Sequence, residues 1–314
     1  MRERGLGIST AGALRRLLLN RRLRPHIRRC AASIFYHFFF CQYRAALAGR
    51  LKMRGRIPVS QVDHELDALI PFVPGWVGVY LDFVGFWVRM LGFLLGRFGG
   101  KGRGAAADFL DSMGRLYAFA GEVYQRNLST TRRPFYIRRP RFLLIHLADP
   151  HLMCIPSLHV MVAIHSYTRF ARIMEELEGG DAGSSGASPL AAGFRRGALD
   201  ITEAILYVKQ HSVNCVAAAM YAMTRFDGAA FPPEEAERFG AELFAGDSAR
   251  TATLPRIGPE AGERVREHIL ELYRRLCRQA GAGEDWARPL LDFLEPLRRG
   301  ERRGPARRTA PPRP

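Results

Sequence analysis

The sequence predicts an all-α protein: a multi-pass transmembrane helix bundle followed by an amphipathic helical C-terminal extension. Three observations lead to this fold class. The run 69–98, LIPFVPGWVGVYLDFVGFWVRMLGFLLGRF, contains only three charged residues and is long enough to cross a hydrocarbon core of about 30 Å. One weaker apolar run precedes it and three follow it. Beyond residue 225, apolar residues recur every three or four positions, as on one face of a helix.

Five segments are candidate membrane spans. The strongest is 73–95, where Trp76, Tyr80 and Trp87 suit a membrane interface. Each of the others contains polar groups, which inside spans are rare and commonly functional. These weaker candidates are 31–48, 105–123, 156–174 and 201–223. A soluble helical protein is the alternative, because a mean hydropathy of −0.11 is low for a protein that lies almost wholly in a membrane.

Composition divides the chain into four parts. A basic N-terminal tail, 1–30, and a disordered basic tail, 298–314, hold much of the arginine. Between them we expect a membrane-embedded domain, 31–225, and a helical C-terminal extension, 226–297. The Gly- and Ser-rich stretch 179–193 predicts a flexible linker.

One apolar stripe of the extension, at helical spacing, predicts a packing face rather than a membrane anchor. Its members are Ile269, Leu270, Leu272, Tyr273 and Leu276.

The net charge of +17 makes nucleic acid a partner to consider. The positive charge gathers at the two ends, however, and we find no nucleic-acid-binding motif, so no nucleic acid is expected as a partner. The five cysteines are scattered and form no Cys-x-x-Cys pair, which predicts neither a disulfide framework nor a zinc site. We expect no metal and no cofactor, and the sequence does not indicate an oligomeric state.

Three stretches hold residues suited to phosphate chemistry. QRNLSTTRRPFYIRRPRF contains Arg126 and, seven residues on, Arg133 followed by proline. Pro-Ser-Leu-His follows at 156–159. Lys209 and His211 then lie within an apolar run, where burying them is costly unless they are paired or line a wet cavity.

Phosphoryl transfer needs this set of groups: cations around the phosphate oxygens, an in-line nucleophile and an acid for the leaving oxygen. An arginine can bind phosphate through two parallel hydrogen bonds. Ser157 could donate another, and a helix that begins near Pro156 would point free N–H groups at an anion. Two histidines could share nucleophilic and acid–base work, because imidazole titrates near neutral pH.

The order Arg-Pro, Pro-Ser-x-His, Lys-Gln-His resembles the type 2 phosphatidic acid phosphatase superfamily. It is most similar to the Pro-Ser-Leu-His-Val branch, which includes inositol-phosphorylceramide-synthase-like proteins, and the resemblance covers about residues 63–225. It implies a multi-pass protein of a bacterial inner membrane. The implied activity is hydrolysis, or transfer, of the phosphate of a lipid through a phospho-histidine, without a metal.

The resemblance also implies residue roles. His211 would be the nucleophile and His159 the general acid for the leaving alcohol. Arg133 and Ser157 would hold phosphate oxygens.

Two further cations are assigned by the same resemblance. Lys209 would add positive charge where other branches use an earlier arginine. Arg126 stands where the family often has a lysine. Arg132 and Arg139, which have the same spacing, form the alternative register.

The third motif departs from the wider family pattern, Ser-Arg-x5-His-x3-Asp. Ala204 and Ile205 replace the Ser-Arg pair, and Cys215 replaces the aspartate that orients the nucleophilic histidine. If 201–223 is one helix, Asn214 and Cys215 lie on the His211 face and could orient it.

An acid from another helix, Glu203 or Asp82, is the other candidate for this orienting role.

The departures also support a second function class: a catalytically impaired membrane protein of the same fold that binds phospholipid or a partner. A soluble, basic, nucleic-acid-binding helical protein is the third.

Overall fold

The structure is a computed structural model, and it describes residues 6–51, 56–178, 189–246, 251–281 and 285–298. Of the described residues, 72% are helix and 3% strand, which confirms the all-α class. The α-helices are α1 (Thr10–Leu19), α2 (Arg24–Ile34), α3 (Cys41–Arg50), α4 (Val77–Tyr80), α5 (Phe83–Tyr124), α6 (Pro140–Ala148), α7 (Leu158–Glu178), α8 (Pro189–Tyr207), α9 (Val213–Phe226), α10 (Pro233–Ala241), α11 (Pro259–Gln279) and α12 (Arg288–Leu294).

Shorter elements connect these helices. A π-helical stretch, Phe35–Phe40, joins α2 to α3. The two strands β1 (Val59–Gln61) and β2 (Leu128–Thr130) pair in parallel, with Ser60 opposite Ser129. Single 3-10 turns are Arg21–Leu23, Glu65–Leu69, Pro74–Trp76 and Glu295–Leu297.

Helix α7 lies at the centre, where it packs against α5, α8 and α9. Every residue of α9 from Val213 to Met223 is buried. A helix that is apolar on all sides must be covered by protein or by lipid. Here α11 and α10 pack on α9, so protein covers it.

Helix α5 reverses its direction at Gly99. This residue has φ 52° and ψ −113°, a conformation that glycine adopts without steric cost. The rings of Trp87 and Phe109 lie 6.1 Å apart across the reversal. The Leu94 carbonyl oxygen lies only 2.1 Å from where a Cβ on Gly102 would stand. Residues 83–98 and 100–124 are therefore two antiparallel arms of a helical hairpin.

The multi-pass arrangement is not confirmed. Within the described ranges one helical segment, Pro74–Tyr124, is long and apolar enough to cross a membrane, and 56% of its most apolar window is buried. The predicted spans 73–95 and 105–123 both belong to this segment, on either side of its reversal. The predicted span 201–223 is not one helix, because α8 ends at Tyr207 and α9 begins at Val213.

The prediction of a basic tail over 1–30 is wrong from Thr10 onward, because α1 and α2 pack on the two arms of α5. The Arg16 guanidinium donates to the Gly92 carbonyl (3.1 Å). Asp111 accepts from His26 and Arg29, both on α2, at 2.8 and 2.9 Å. The arginines of this region occupy the outward side of amphipathic helices.

The predicted C-terminal extension is helical, as α10, α11 and α12 show. The stripe on α11 is confirmed as a packing face: four of its members are buried, and Leu270 contacts Gly240 of α10. Most of the predicted linker (179–188) and of the basic tail (299–314) lie outside the described residues. From Pro189 the linker prediction is wrong, because that residue opens α8.

Gly102 should be essential for the hairpin. A Cβ there would collide with the Leu94 backbone oxygen, which cannot move as a flexible side chain could. We expect Gly102→Ala to lower the free energy of unfolding by about 2 kcal/mol or more, measured by urea denaturation.

Gly104→Ala is the matched control, since a Cβ at this nearby helical position meets nothing within 4 Å. It should leave stability unchanged or raise it by up to about 1 kcal/mol, the usual difference between glycine and alanine in a helix. Equal stability of the two variants would contradict the hairpin geometry.

Candidate functional site

The three sequence motifs meet beside strand β2. The loop 149–157 is held there because Ser129 Oγ accepts the Ile155 N–H at 2.7 Å and Leu152 O accepts the Ser129 N–H at 3.0 Å. Tyr124 of α5 donates to the Pro156 carbonyl. Helix α7 then begins at Leu158, close to the predicted start, which places Ser157 at its N-terminal end.

His211 faces Ser157 and His159. Its Nε2 lies 3.5 Å from Ser157 Oγ, at the outer limit of a hydrogen bond. The ring centroids of His211 and His159 are 5.4 Å apart. Tyr80 stacks on His159 at 4.6 Å, and Phe83 contacts it at 4.3 Å. Two imidazoles from distant parts of the chain thus lie beside one hydroxyl in a buried cluster.

Arg133 reaches the same cluster through its neighbours. Its guanidinium donates to Gln210 Oε1 at 3.1 Å and to the Asp149 backbone oxygen at 2.9 Å, and lies 3.7 Å from the Asp149 carboxylate. Gln210 precedes His211 directly. The structure therefore favours the register that uses Arg133, since Arg132 is exposed and its N–H donates to Asp63 instead.

The break between α8 and α9 determines where His211 lies. Lys209 has a positive φ of 54°, and the N–H groups of both Gln210 and His211 point back to the Ile205 carbonyl. Ser212 then caps α9 by accepting the Asn214 N–H. The expectation that His211 and Asn214 share one helix face is wrong, because no helix runs through 208–212.

The structure does not make Asn214 or Cys215 the orienting partner of His211. Asn214 donates to the Val62 carbonyl (3.2 Å), and its oxygen pairs with His268 Nε2 (2.9 Å). The Cys215 sulfur accepts the Ser212 N–H as part of the helix cap. Within the part of the chain that the structure describes, the buried Nδ1 of His211 has no hydrogen-bond partner.

The two carboxylates from other helices also have different partners. Glu203 pairs with Arg196 (2.7 Å) and Arg256 (2.6 Å). Asp82 pairs with Arg89 at 2.7 Å. Neither carboxylate takes the place beside His211 of the aspartate that the family has there.

Arg126 and Lys209 point away from the cluster. Arg126 forms an ion pair with Asp285. Strand β2, at about 3.3 Å per residue, separates Arg126 from Arg133 and carries the two arginines apart. The Lys209 ammonium donates to the backbone oxygen of Asp67. Burial lowers the pKa of Lys209, while the charge of Asp67 opposes this shift. Both side chains are thus held by partners outside the cluster.

Three polar residues of the cluster were not predicted from the sequence: Asp149, His151 and Cys154. The Cys154 sulfur lies 3.7 Å from His151 Nε2. The Asp149 carboxylate accepts the His151 N–H at 2.8 Å and lies 3.8 Å from its Nδ1. The signal in the sequence was the pair Asp149 and His151, separated by one proline, between the first and second motifs.

Cys154 and His151 shift each other's pKa. Burial alone would raise the pKa of the Cys154 thiol, but a hydrogen bond from Cys215 and the charge of His151 lower it well below its usual value. Burial likewise opposes charging of His151, yet the Cys154 and Asp149 charges raise its pKa to about 9. A hydrogen bond from His211 contributes to the same lowering of the Cys154 pKa.

His159 is neutral in the free protein. Burial lowers its pKa to about 3, and the nearby His211 contributes in the same direction. A bound phosphate dianion would favour the imidazolium form, because an opposite charge stabilises it.

Among the described residues, no group of three or more His, Cys, Asp or Glu side chains is arranged to hold a metal ion. No protein-family model, no curated protein and no solved structure matches this chain. The resemblance to the phosphatase superfamily therefore rests on the three motifs alone.

Acid should destabilise the protein through His159. Its pKa of about 3 in the folded state lies below the ordinary value of 6.5, so between these pH values only the unfolded state binds the proton. The free energy of unfolding falls as the pH drops through this window, by up to about 1.4 kcal/mol per pH unit for one group. In His159→Gln, urea denaturation at a series of pH values should show a flatter dependence.

Ser157→Ala is the control, because it changes the same pocket without removing a titrating group. Its pH dependence should match that of the wild-type protein. Parallel curves for wild type and His159→Gln would show that His159 is not buried in its neutral form.

Proposed function

We propose that the protein is a metal-independent lipid-phosphate phosphatase that acts through a phospho-histidine on His211. The observation that supports this most directly is the 3.5 Å approach of His211 Nε2 to Ser157 Oγ, with the His159 ring beside it. Arg133 supplies positive charge next to the same pocket through Gln210. Nucleophile, acid, hydroxyl donor and guanidinium are the groups that phosphoryl transfer requires.

In the first step His211 Nε2 attacks phosphorus and the bond from phosphorus to the lipid alcohol oxygen breaks. His159 donates a proton to the leaving oxygen, so the lipid departs as a neutral alcohol. In the second step water attacks the phospho-histidine, His159 takes up a proton from it, and inorganic phosphate is released. An alcohol in place of water would give phosphate transfer instead.

The proton on His159 arrives with the substrate. Because His159 is neutral in the free protein, it cannot donate before phosphate binds. A phosphate monoester retains one proton below its second pKa of about 6. Transfer of that proton to His159 inside the pocket leaves a dianion between two cationic groups, Arg133 and the new imidazolium.

Cys154 supplies the negative charge that the family takes from an aspartate. Its sulfur lies 3.7 Å from His151 Nε2, and hydrogen bonds from Cys215 and His211 and the charge of His151 lower its pKa, which favours the thiolate form. A nearby anion stabilises the cation that develops on a histidine nucleophile, as in catalytic triads. Cys154 is thus a positioning and charge-compensating residue, and it does not bond to phosphorus.

A lipid substrate and a membrane location belong to the same proposal. The inner-membrane, multi-pass placement rests on the resemblance, and one described helical segment alone is suited to crossing a bilayer.

A second candidate function is phospholipid binding without turnover. The observation that favours it is the buried His211 Nδ1, which has no hydrogen-bond partner among the described residues. Without a partner there, the imidazole is less firmly held in its nucleophilic tautomer.

His211→Ala should abolish turnover of phosphatidate. We expect kcat to fall on the order of 10³-fold or more, because the group that forms the covalent intermediate is lost. The assay is phosphate release from phosphatidate in detergent, with and without chelator, plus acid-labile labelling of the protein by phosphate. Wild-type activity should not change with chelator.

His26→Gln is the control, since His26 pairs with Asp111 on the far side of α5. It should retain wild-type turnover and labelling. Binding of phosphatidate with no turnover by any variant would establish the second candidate function and overturn the first.

Cys154→Ser should lower kcat by between about tenfold and 10⁴-fold, the upper value being that for neutralising a triad carboxylate. KM should change little, because the thiolate does not contact the substrate. The kcat–pH profile should shift, which a purely structural role of Cys154 would not cause. Steady-state kinetics over a range of pH values measures all three.

Cys277→Ser provides the comparison, because Cys277 lies on α11 outside the cluster. It should leave kcat, KM and the pH profile as in the wild type. An unchanged pH profile in Cys154→Ser would remove Cys154 from the mechanism while leaving the His211 proposal intact.

A further inference from the structure

Two stretches of the chain, 35–51 and 135–147, expose large apolar side chains, and together we call them the apolar face. Twelve of the sixteen exposed large apolar side chains of the described residues lie on it, with exposed fractions of 39% to 82%. Its members are Phe35, Tyr36, Phe39, Phe40, Tyr43, Leu47, Leu51, Phe135, Ile137, Leu143, Leu144 and Leu147. Single exposed apolar residues are ordinary, but contiguous ones mark an interaction site.

The apolar face is continuous across two parts of the chain. Tyr43 of α3 donates to the Ala148 carbonyl at the end of α6 (2.7 Å). The adjacent Gln42 is fully buried, and its side-chain oxygen accepts the Leu152 N–H at 2.9 Å. These bonds hold the middle of the aromatic stretch 35–51 beside the C-terminal end of α6.

The charged side chains on this face are all positive. The stretches 35–51 and 132–148 contain no Asp or Glu. Arg44 lies over the Phe40 ring at 5.9 Å. The exposed arginines on or beside the face are Arg44, Arg50, Arg132, Arg138, Arg139 and Arg141.

Aromatic and leucine side chains among arginines, without acids, match an anionic lipid surface. The apolar side chains would enter the boundary between headgroups and acyl chains, and the guanidinium groups would bind lipid phosphates. A second copy of the chain fits poorly, because it would bring arginines against arginines.

We propose that the apolar face binds one leaflet of an anionic phospholipid membrane. This places α6 at the lipid surface. Helix α6 lies in the segment that connects Arg133 to Asp149. These two residues of the candidate site are hydrogen-bonded to each other. The site would then open towards lipid headgroups. The inference rests on the proposed function only for the identity of the substrate, since docking itself needs no catalysis.

The test measures vesicle binding by the full chain. Flotation with vesicles of phosphatidylcholine alone, and with added phosphatidylglycerol, gives the partition coefficient. We expect binding to the anionic vesicles and weaker binding at high salt. The double variant Leu144→Asp/Leu147→Asp should reduce the partition coefficient by at least about tenfold, because two apolar groups are lost and negative charge is added.

The matched control is Leu18→Asp/Leu19→Asp on α1. Leu18 and Leu19 are 53% and 66% exposed, compared with 59% and 71% for Leu144 and Leu147. The control should bind vesicles as the wild type does. Circular dichroism confirms that both double variants are folded.

Equal binding by the two double variants, or no binding by the wild type, would overturn the docking proposal. So would a solution dimer that only Leu144→Asp/Leu147→Asp dissociates, because the face would then join two copies. A short-chain phosphatidate below its micelle concentration separates the two proposals. If the wild type binds vesicles but does not hydrolyse this substrate, docking stands and the phosphatase fails.

Discussion

Asp67 joins the turn 64–69 to the segment 209–213, which contains His211 of the candidate site. Its carboxylate accepts the His64 N–H at 2.8 Å and the Val213 N–H at 2.9 Å, and its carbonyl accepts from Lys209. Burial raises the pKa of this carboxyl, and the hydrogen bonds from His64, Val213 and Ser212 oppose that shift. Without these bonds the buried Val213 N–H of α9 and the partly buried Lys209 ammonium would be unpaired.

The consequence of this anchoring is the position of His211. Residues 208–212 form a short non-helical link between α8 and α9. Both ends of this link are fixed, since α8 and α9 pack on α7. The imidazole is therefore presented to Ser157 from a short loop supported by the core. A site held by rigid elements on both sides keeps its geometry better than one on a long loop.

The sequence predicted which residues form the cluster better than it predicted their hydrogen-bond partners and the local backbone. The meeting of Arg133, Ser157, His159 and His211 follows from motifs whose residue types have few other reasons to occur together. The break at 208–212 could not be predicted from apolar spacing, because the residues on both sides are buried all round.

Other differences have similarly physical causes. The partner of Arg126 is 159 positions away in sequence, so local spacing could not reveal it. The N-terminal helices were missed because the density of arginine obscured the amphipathic pattern of α1 and α2. Each apolar run was interpreted without its neighbours. For this reason 201–223 was predicted as one helix, and 73–95 and 105–123 as separate spans.

The hairpin of α5 has a consequence for the order of assembly during synthesis. Its arms are adjacent in sequence, so closing it costs little chain entropy. The contacts of α1 and α2 with those arms instead join residues 76 and 85 positions apart. Both helices leave the ribosome long before the surfaces that bury Ala13, Leu17 and Cys30 exist. The arginines of α1 and α2 then serve as solubilising groups for a nascent chain that must wait for its partner.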